Sequence, residues 1–529
     1  MKLSASLLNT AWVAAQLPGY RRFLRALRRP ELEQRTRLFH YLRSNANTTY
    51  GRRYSFGTIR SVTEFQERVP LSTYDDYEGA VADIRAGAQN VLTRAKVRCL
   101  EPSSGSTRAA KLIPYTADLQ SEFSRALAPW IVDLARSTPA ILGGPAYWSI
   151  TPAMSDAHGD LPTRTTIGFE SDSAYLGGWI EWLTARTLVS CDDLKHATEL
   201  TQFQRHTLVR LLGQRELRLI SLWHPTFLTL LLDAMAASWD ELLRAVAEGL
   251  PSTGRIRGTP PNPSRARELA TVDPIRPATV WPHLALLSCW GDGHAATLID
   301  ELQARFPTTR VQAKGLIATE AFVSLPFAGA YPLAICSHFF EFTDTQGRVH
   351  LPGDLEQGNT YSVVVTTGGG LYRYQLRDRV TVHGFLEATP CIRFVGKEDS
   401  VCDLRGEKLS EGLVAGILSR LLPALAPKAS FALLAPESGG GAARYVLYIS
   451  TPDALAPRLA EAVESELSAN PQYAHCVRLG QLQPVTIARV DSNAAARYLH
   501  RLREEGQRLG NIKPAALSPL TGWRETFNC

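Results

Sequence analysis

The segment Glu101–Thr116 holds the densest chemistry in the chain: Ser103, Ser104, Gly105, Ser106 and Thr107, then Lys111. Backbone N–H groups, short hydroxyls and one ammonium can surround a polyphosphate with little side-chain bulk in the way. It is not a Walker A loop, because G-x-x-x-x-G-K-[ST] occurs nowhere in the sequence. The same composition also makes ordinary surface turns, so the loop gains meaning only from partners elsewhere. Thr319-Glu320 follows the strand-like run Val311–Leu316. A carboxylate at a strand end is placed to hold Mg2+, a hard cation that takes oxygen ligands and substrate phosphates. Alone, Thr-Glu equally reads as a helix N-cap and a first-turn acid. Asp378 lies just beyond the block Gly368–Arg377 and can accept hydrogen bonds from both hydroxyls of a ribose. Standing alone, that block reads as an edge strand with aromatics on one face and arginines on the other. Gly396, among the charges of Arg393–Asp399, suits a hinge. Lys513, in Gly510–Pro514, can swing a point charge onto a carboxylate or phosphate, or be a solvated tail lysine.

These groups need a scaffold, and 529 residues exceed one ordinary core, so two or more domains are expected. Residues 1–95 read as helices, including an amphipathic first helix through Leu3–Leu17 into Tyr20–Leu27. Strand-like Ala146–Ile150, Leu217–Leu222, Ala285–Cys289 and Val311–Leu316 then alternate with helical Ala117–Arg136, Phe227–Leu250 and Ala295–Phe306. That alternation predicts an α/β layered domain with a largely parallel sheet. Thr253–Ala278, rich in Pro, Arg and Gly, reads as an exposed connection between lobes. From Ile335 closely spaced strands follow: Cys336–Phe342, Thr360–Thr366, Leu371–Gln375, Arg379–Gly384 and Ile392–Val395. After Gly396 come helix Ser410–Leu422, strands Ser430–Ala435 and Tyr445–Ser450, helix Pro457–Ala469 and strand Val485–Val490, a small α+β unit. Glu437–Gly441 reads as a flexible hairpin tip. The expected division is a large domain over 1–395 and a small mobile domain over 396–529.

Composition narrows the function. A net charge of +6 is slight for this length, with no basic stripe interleaved with aromatics, which argues against nucleic acid. Eight scattered cysteines form no C-x-x-C pair, which predicts reduced thiols in a cytoplasmic protein. No uncharged apolar run approaches the ~20 residues of a membrane span. The N-terminus is only faintly like a signal peptide, since Asn9 and Gln16 interrupt its apolar run.

In this order the pieces resemble the acyl-adenylate-forming superfamily, and within it the auxin-responsive acyl acid amido synthetases, the Gretchen Hagen family, in its bacterial form. Ser103–Pro114, Ala318–Glu320, His338–Phe342, Tyr361–Gln375 with Asp378, Phe394–Lys397 and Gln507–Pro514 carry the resemblance. The Gly-Leu-Tyr-Arg-Tyr block at Gly370–Tyr374 separates this family from ordinary acyl-CoA synthetases. The resemblance implies a phosphate loop at Ser103, Ser104, Gly105, Ser106, Thr107 and Lys111. It implies α-phosphate and Mg2+ contacts at Thr319 and Glu320, ribose binding at Asp378 and a catalytic lysine at Lys513. Trp290–Gly293 takes the place that flanks adenine, with Gly293 among the nucleotide contacts. The chain departs from the pattern at Arg108, Ala110, Leu316, Gln375 and Arg377.

The implied activity uses ATP and Mg2+ to convert a carboxylic acid into an acyl-AMP, releasing pyrophosphate. The acyl group then passes to an amine, the expected one being an amino acid. An acyl-CoA ligase sharing the first half-reaction, and a catalytically silent adenylate-binding protein, are the alternatives. A monomer is the expected state. Trp148, Tyr175, Trp179, Trp223, His224 and Phe322 are candidates to line the acyl pocket.

Overall fold

The computed structural model describes residues 2–102, 111–149, 166–167, 186–197, 199–292, 296–398, 401–402, 404–405, 407, 409–437, 443–452, 458–505 and 515–529. The chain divides into two compact units. The first comprises Met1–Gly291, Leu298–Leu376 and Val380–Arg393; the second comprises Asp292–Thr297, Arg377–Arg379 and Phe394–Cys529.

The first unit begins with helices Lys2–Arg28 and Pro30–Asn45. Pro30 stands at the first helical position, where its missing N–H costs nothing. Strands β1 (Val97–Pro102) and β2 (Leu112–Thr116) pair antiparallel, and β4 (Thr166–Ile167) runs parallel to β1. A second, wholly parallel sheet runs in the order β3 (Ala146–Trp148), β5 (Leu219–Ser221), β6 (Leu286–Trp290), β7 (Arg310–Lys314). One face of this sheet carries Tyr147, Ile220, Leu287 and Cys289, which join Phe203, Leu228, Leu232 and Leu302 in an apolar core. The other face carries Ser221, Ser288, Trp290, Gln312 and Lys314; Trp130 of helix Ala117–Ser137 donates its ring N–H to Gln312 at 2.9 Å. A third sheet has the order β12 (Thr389–Lys397), β11 (Tyr374–Leu386), β10 (Thr360–Thr366), β8 (Phe339–Thr343), β9 (Val349–His350).

The second unit pairs short β13 (Val401–Cys402) with β14 (Leu409–Ser410) and packs strands β15 (Phe431–Glu437), β16 (Ala443–Ser450) and β17 (Leu482–Arg489) against helices Glu411–Leu425, Leu459–Leu467 and Pro471–Arg478. β15 and β16 are antiparallel; β16 and β17 are parallel.

Several expectations change. Phe227–Leu250 is two helices, Pro225–Ala237 and Trp239–Glu248, broken at Ser238. Thr253–Ala278 is not simply exposed: it contains helix Pro263–Leu269, and Ile256, Ala266 and Leu269 enter the parallel sheet's core. Its buried Arg265 holds the carbonyls of Leu212 and Val280, which is how a polar-looking segment gains an interior. The strands expected at Leu371–Gln375 and Arg379–Gly384 are one strand, β11, which starts only at Tyr374. The tip at 438–441 lies outside the described residues. Among the described residues all eight thiols are free, and no helix is long and apolar enough to cross a membrane.

Candidate active site

The phosphate-type loop, 103–110, lies outside the described residues, but its anchor points do not. The β1–β2 register pairs Pro102 with Leu112, so the two ends of the loop meet at the end of an antiparallel hairpin. Lys111 follows directly. Its Nζ lies 6.0 Å from the ring centroid of Tyr74. The Tyr74 hydroxyl accepts from the Leu112 amide at 2.8 Å. Burial raises the Tyr74 pKa, and the negative charge of Glu320 adds to that rise. Tyr74 thus lies against the lysine that closes the loop and feels the charge of the carboxylate expected to meet a metal, two groups more than 200 positions apart in sequence. Sequence reasoning missed Tyr74, since it falls in a run that reads as a helix.

Glu320 sits at the tip of a tight reversal rather than at a helix start. The Ala318 amide donates to the Ala321 carbonyl at 2.9 Å, and Ile317 bridges Phe322. Gly315 makes the reversal possible: a Cβ there would lie 2.0 Å from the carbonyl oxygen of Ser324. The Ser324 hydroxyl accepts from the Leu316 amide at 2.9 Å, which fixes the start of the turn. Thr319 is half-buried and Glu320 buried.

Behind this turn lies a buried charge network. The Nε2 of His338 accepts from the Phe322 amide at 3.0 Å, and its Nδ1 meets Glu122 at 2.8 Å. Accepting at Nε2 requires a neutral ring with its proton on Nδ1. Burial pushes His338 down in the same direction. Glu122 also takes the Gly368 amide at 2.9 Å, and Arg125 approaches within 3.8 Å. Burial works against its charge, but these donors outweigh it and hold Glu122 below the ordinary carboxylate range. One carboxylate therefore ties the Glu320 turn to the glycine run Gly368–Gly370. Gly368 has no room for a side chain: a Cβ would lie 2.5 Å from Glu122 Oε1.

The Gly-Leu-Tyr-Arg-Tyr block is a structural clamp, not an edge strand. Tyr372 and Arg373 are both buried. The Tyr372 hydroxyl donates to the Leu92 carbonyl at 2.8 Å, and its amide donates to the Tyr77 hydroxyl at 2.8 Å. Arg373 pairs with buried Glu341 at 3.0 Å and donates to the carbonyls of Gln66 and Val69. Alternation along a strand cannot hold when both neighbours must be inside.

Asp378 belongs with the second unit. It is 4% exposed, and its Oδ1 lies 3.6 Å from Lys397 Nζ. The Glu398 amide donates to the Arg377 carbonyl at 2.8 Å, fixing the chain beside it. Gly293 and Lys513 lie outside the described residues, as do Tyr175 and Trp179. Of the other pocket candidates, Phe322 is core, packed edge-on against Phe123 and Trp130. His224 caps helix Pro225–Ala237 through Nδ1. Trp148 and Trp223 remain half-buried or exposed at the carboxyl edge of the parallel sheet.

Family models place the chain. The GH3 family N-terminal domain matches residues 19–311, the central domain 331–397 and the C-terminal domain 417–519. The chain belongs to the GH3 family. Among its GH3 relatives is a probable indole-3-acetic acid-amido synthetase of Oryza sativa subsp. japonica, 25% identical, covering 72% of this chain and 71% of that protein. A jasmonoyl–L-amino acid synthetase of Nicotiana attenuata is 23% identical over 70% of each chain. A solved GH3 acyl acid amido synthetase in complex with 2,4-DB shares the fold, with TM-score 0.81, 18% identity, and coverage of 97% of this chain and 95% of that one. A 2-hydroxyisobutyryl-CoA ligase shares it more loosely, with TM-score 0.52, 13% identity, and coverage of 89% and 88%. GH3 membership thus spans both compact units, and the fold is that of adenylate-forming enzymes.

Proposed function

We propose that this GH3 protein is an AMP-forming acyl acid amido synthetase. It couples a carboxylic acid to ATP, releases pyrophosphate, and passes the acyl group to an amine, with an amino acid as the amine. Support comes chiefly from GH3 membership across the chain, and also from Tyr74, which Lys111 Nζ approaches at 6.0 Å and whose pKa the Glu320 charge helps to raise.

A carboxylate must approach an anionic triphosphate, so the barrier is partly electrostatic. The hydroxyls and amides of Ser103, Ser104, Gly105, Ser106 and Thr107, with Lys111, would bind the phosphates. Thr319 would meet the α-phosphate, Asp378 the ribose, and Gly293 the adenine edge. Lys513 would place its charge at the reacting carboxylate. One buried carboxylate, Glu320, fits Mg2+, which commonly takes one or two protein carboxylates and completes its shell with water and phosphate. Bound there, Mg2+ would offset charge developing on the phosphates. Removing one such preorganised donor typically costs roughly 3–4 kcal/mol, or about 10²–10³ in rate. A small domain over 396–529 would rotate about Val395–Lys397, withdrawing Lys513 before the amine arrives. We place the enzyme in the cytoplasm, as a monomer.

The test is to identify which bond of ATP breaks and what accepts the acyl group. Carboxylic acids paired with amines should yield AMP, pyrophosphate and an amide of the summed mass less water. ADP and phosphate would reject the reading. A thioester formed with CoA in preference to any amide would make the protein an acyl-CoA ligase.

A further inference from the structure

The carboxyl edge of the parallel sheet carries a buried cation that the reading above does not use. Lys314 is the last residue of β7, Ser221 the last of β5 and Trp290 the last of β6. The register sets Ser221 beside Ser288, and Trp290 beside Lys314, on one face. The Lys314 side chain crosses β6 on that face, and its Nζ donates to the Ser221 hydroxyl at 2.9 Å. The Trp223 ring lies under the ammonium, 5.0 Å from its centroid.

Lys314 is only 7% exposed, and among the described residues no carboxylate pairs with it. An isolated buried ammonium is costly, and one hydroxyl and one ring offset that cost only in part. Burial lowers its pKa to about 8. Beside it, the Ser288 hydroxyl is buried and makes no hydrogen bond. On one face, then, a buried ammonium with one hydroxyl partner lies beside a buried hydroxyl with none, a pair of donors that suits an anion. In open parallel sheets, ligands bind beyond the carboxyl ends of the strands. Glu320 is six residues along the chain from Lys314.

We infer that Lys314, Ser221 and Ser288 form a subsite for a second carboxylate on the acid substrate. The enzyme then selects acids carrying an anionic group distal to the carboxyl that is activated. Trp223 supplies a flat wall beside it. This deepens the proposed function, because it assumes that the acid enters at this sheet edge.

The test uses the full-length protein and two matched series: terephthalate and isophthalate, and glutarate to suberate, each against its monomethyl ester. Direct binding is measured by calorimetry and AMP release in a separate assay. At least one diacid should bind about ten- to hundredfold more tightly than its ester, the range for a hydrogen-bonded charge. Lys314→Met should erase that preference while leaving ester binding intact. Ser288→Ala, which removes one oxygen, should reduce the preference less and guards against a folding defect in the first variant. Equal affinity for diacid and ester throughout, no binding of any diacid, or an unchanged preference in Lys314→Met would overturn the inference. AMP release from esters alone would also overturn it and leave adenylation standing. Selective diacid binding without AMP release would support the subsite and count against the proposed reaction.

Discussion

Replacing His338 by Phe tests the network behind the Glu320 turn. The substitution leaves ring volume nearly unchanged but removes two hydrogen bonds at once. The Phe322 amide loses its acceptor, at 3.0 Å in the native protein, and Glu122 loses its donor at 2.8 Å. A buried amide left unsatisfied costs ~1–3 kcal/mol, and a hydrogen bond to a charged group contributes ~1.5–3 kcal/mol. Glu122 keeps the Gly368 amide, so the sum is taken in the lower half of its range, about 3–4 kcal/mol. At 1.36 kcal/mol per tenfold, the Phe322 amide should exchange its hydrogen roughly 10²–10³ faster. The whole turn should share the loss, and with it the placement of Glu320. Glu122→Gln should act on the other side. The neutral His338 needs an acceptor at Nδ1, so the amide oxygen takes the Oε2 place, which the Gly368 amide also reaches at 3.0 Å, and the amide nitrogen takes the Oε1 place facing that N–H. Gly368, not Phe322, should then lose part of its protection, since one of its two acceptors becomes a donor. Hydrogen exchange followed by mass spectrometry reads both sites. Unchanged exchange at Phe322 in His338→Phe, or the same pattern in both variants, would refute this wiring. The pH dependence carries the same sign for both groups. Glu122 is held low in the folded protein, so its contribution is present above the unfolded carboxylate pKa and lost as pH falls through the folded one. His338 is also lowered, so the unfolded chain takes its proton first, and stability falls as pH drops below about 6.5. Either substitution should flatten the acid limb.

Three other outcomes are expected. Asp378→Ala should mainly raise the KM for ATP, since ribose contacts are alike in ground and transition states, whereas Glu320→Ala should also depress kcat; unchanged steady-state kinetics in both would reject the site. Lys513→Ala should slow adenylate formation, followed by ATP–pyrophosphate exchange, and spare amide formation from a prepared acyl-adenylate; equal loss in both steps would mean that it holds the fold instead. Lys314, lowered from 10.5 to about 8, makes the unfolded chain the stronger proton binder between those values. Without ligand, stability should therefore rise by about 3 kcal/mol from pH 8 to 10.5, and denaturant titration of Lys314→Met should lose that rise.

Local sequence determined much of this protein. The alternation of apolar runs with helical periods marks the parallel strands β3, β5, β6 and β7, because the residues of their core-facing side must be apolar whatever lies on the other. The apolar helical repeat over Ala117–Arg136 announces helix Ala117–Ser137, which Thr116 caps through the Leu119 amide, a local contact only three residues away. The family was legible in Gly370–Tyr374 and Ala318–Glu320, yet not the reason for the former: Arg373 finds Glu341 and Tyr372 finds Leu92 only in three dimensions. Tertiary structure alone decided that Lys111 lies against Tyr74, that Glu122 and His338 join two distant loops, and that Lys314 crosses a strand to Ser221. The physical reason is common to all three. A buried charge or hydroxyl is defined by the partners that replace water, and those partners come from whichever elements the core brings together, not from neighbours in the chain.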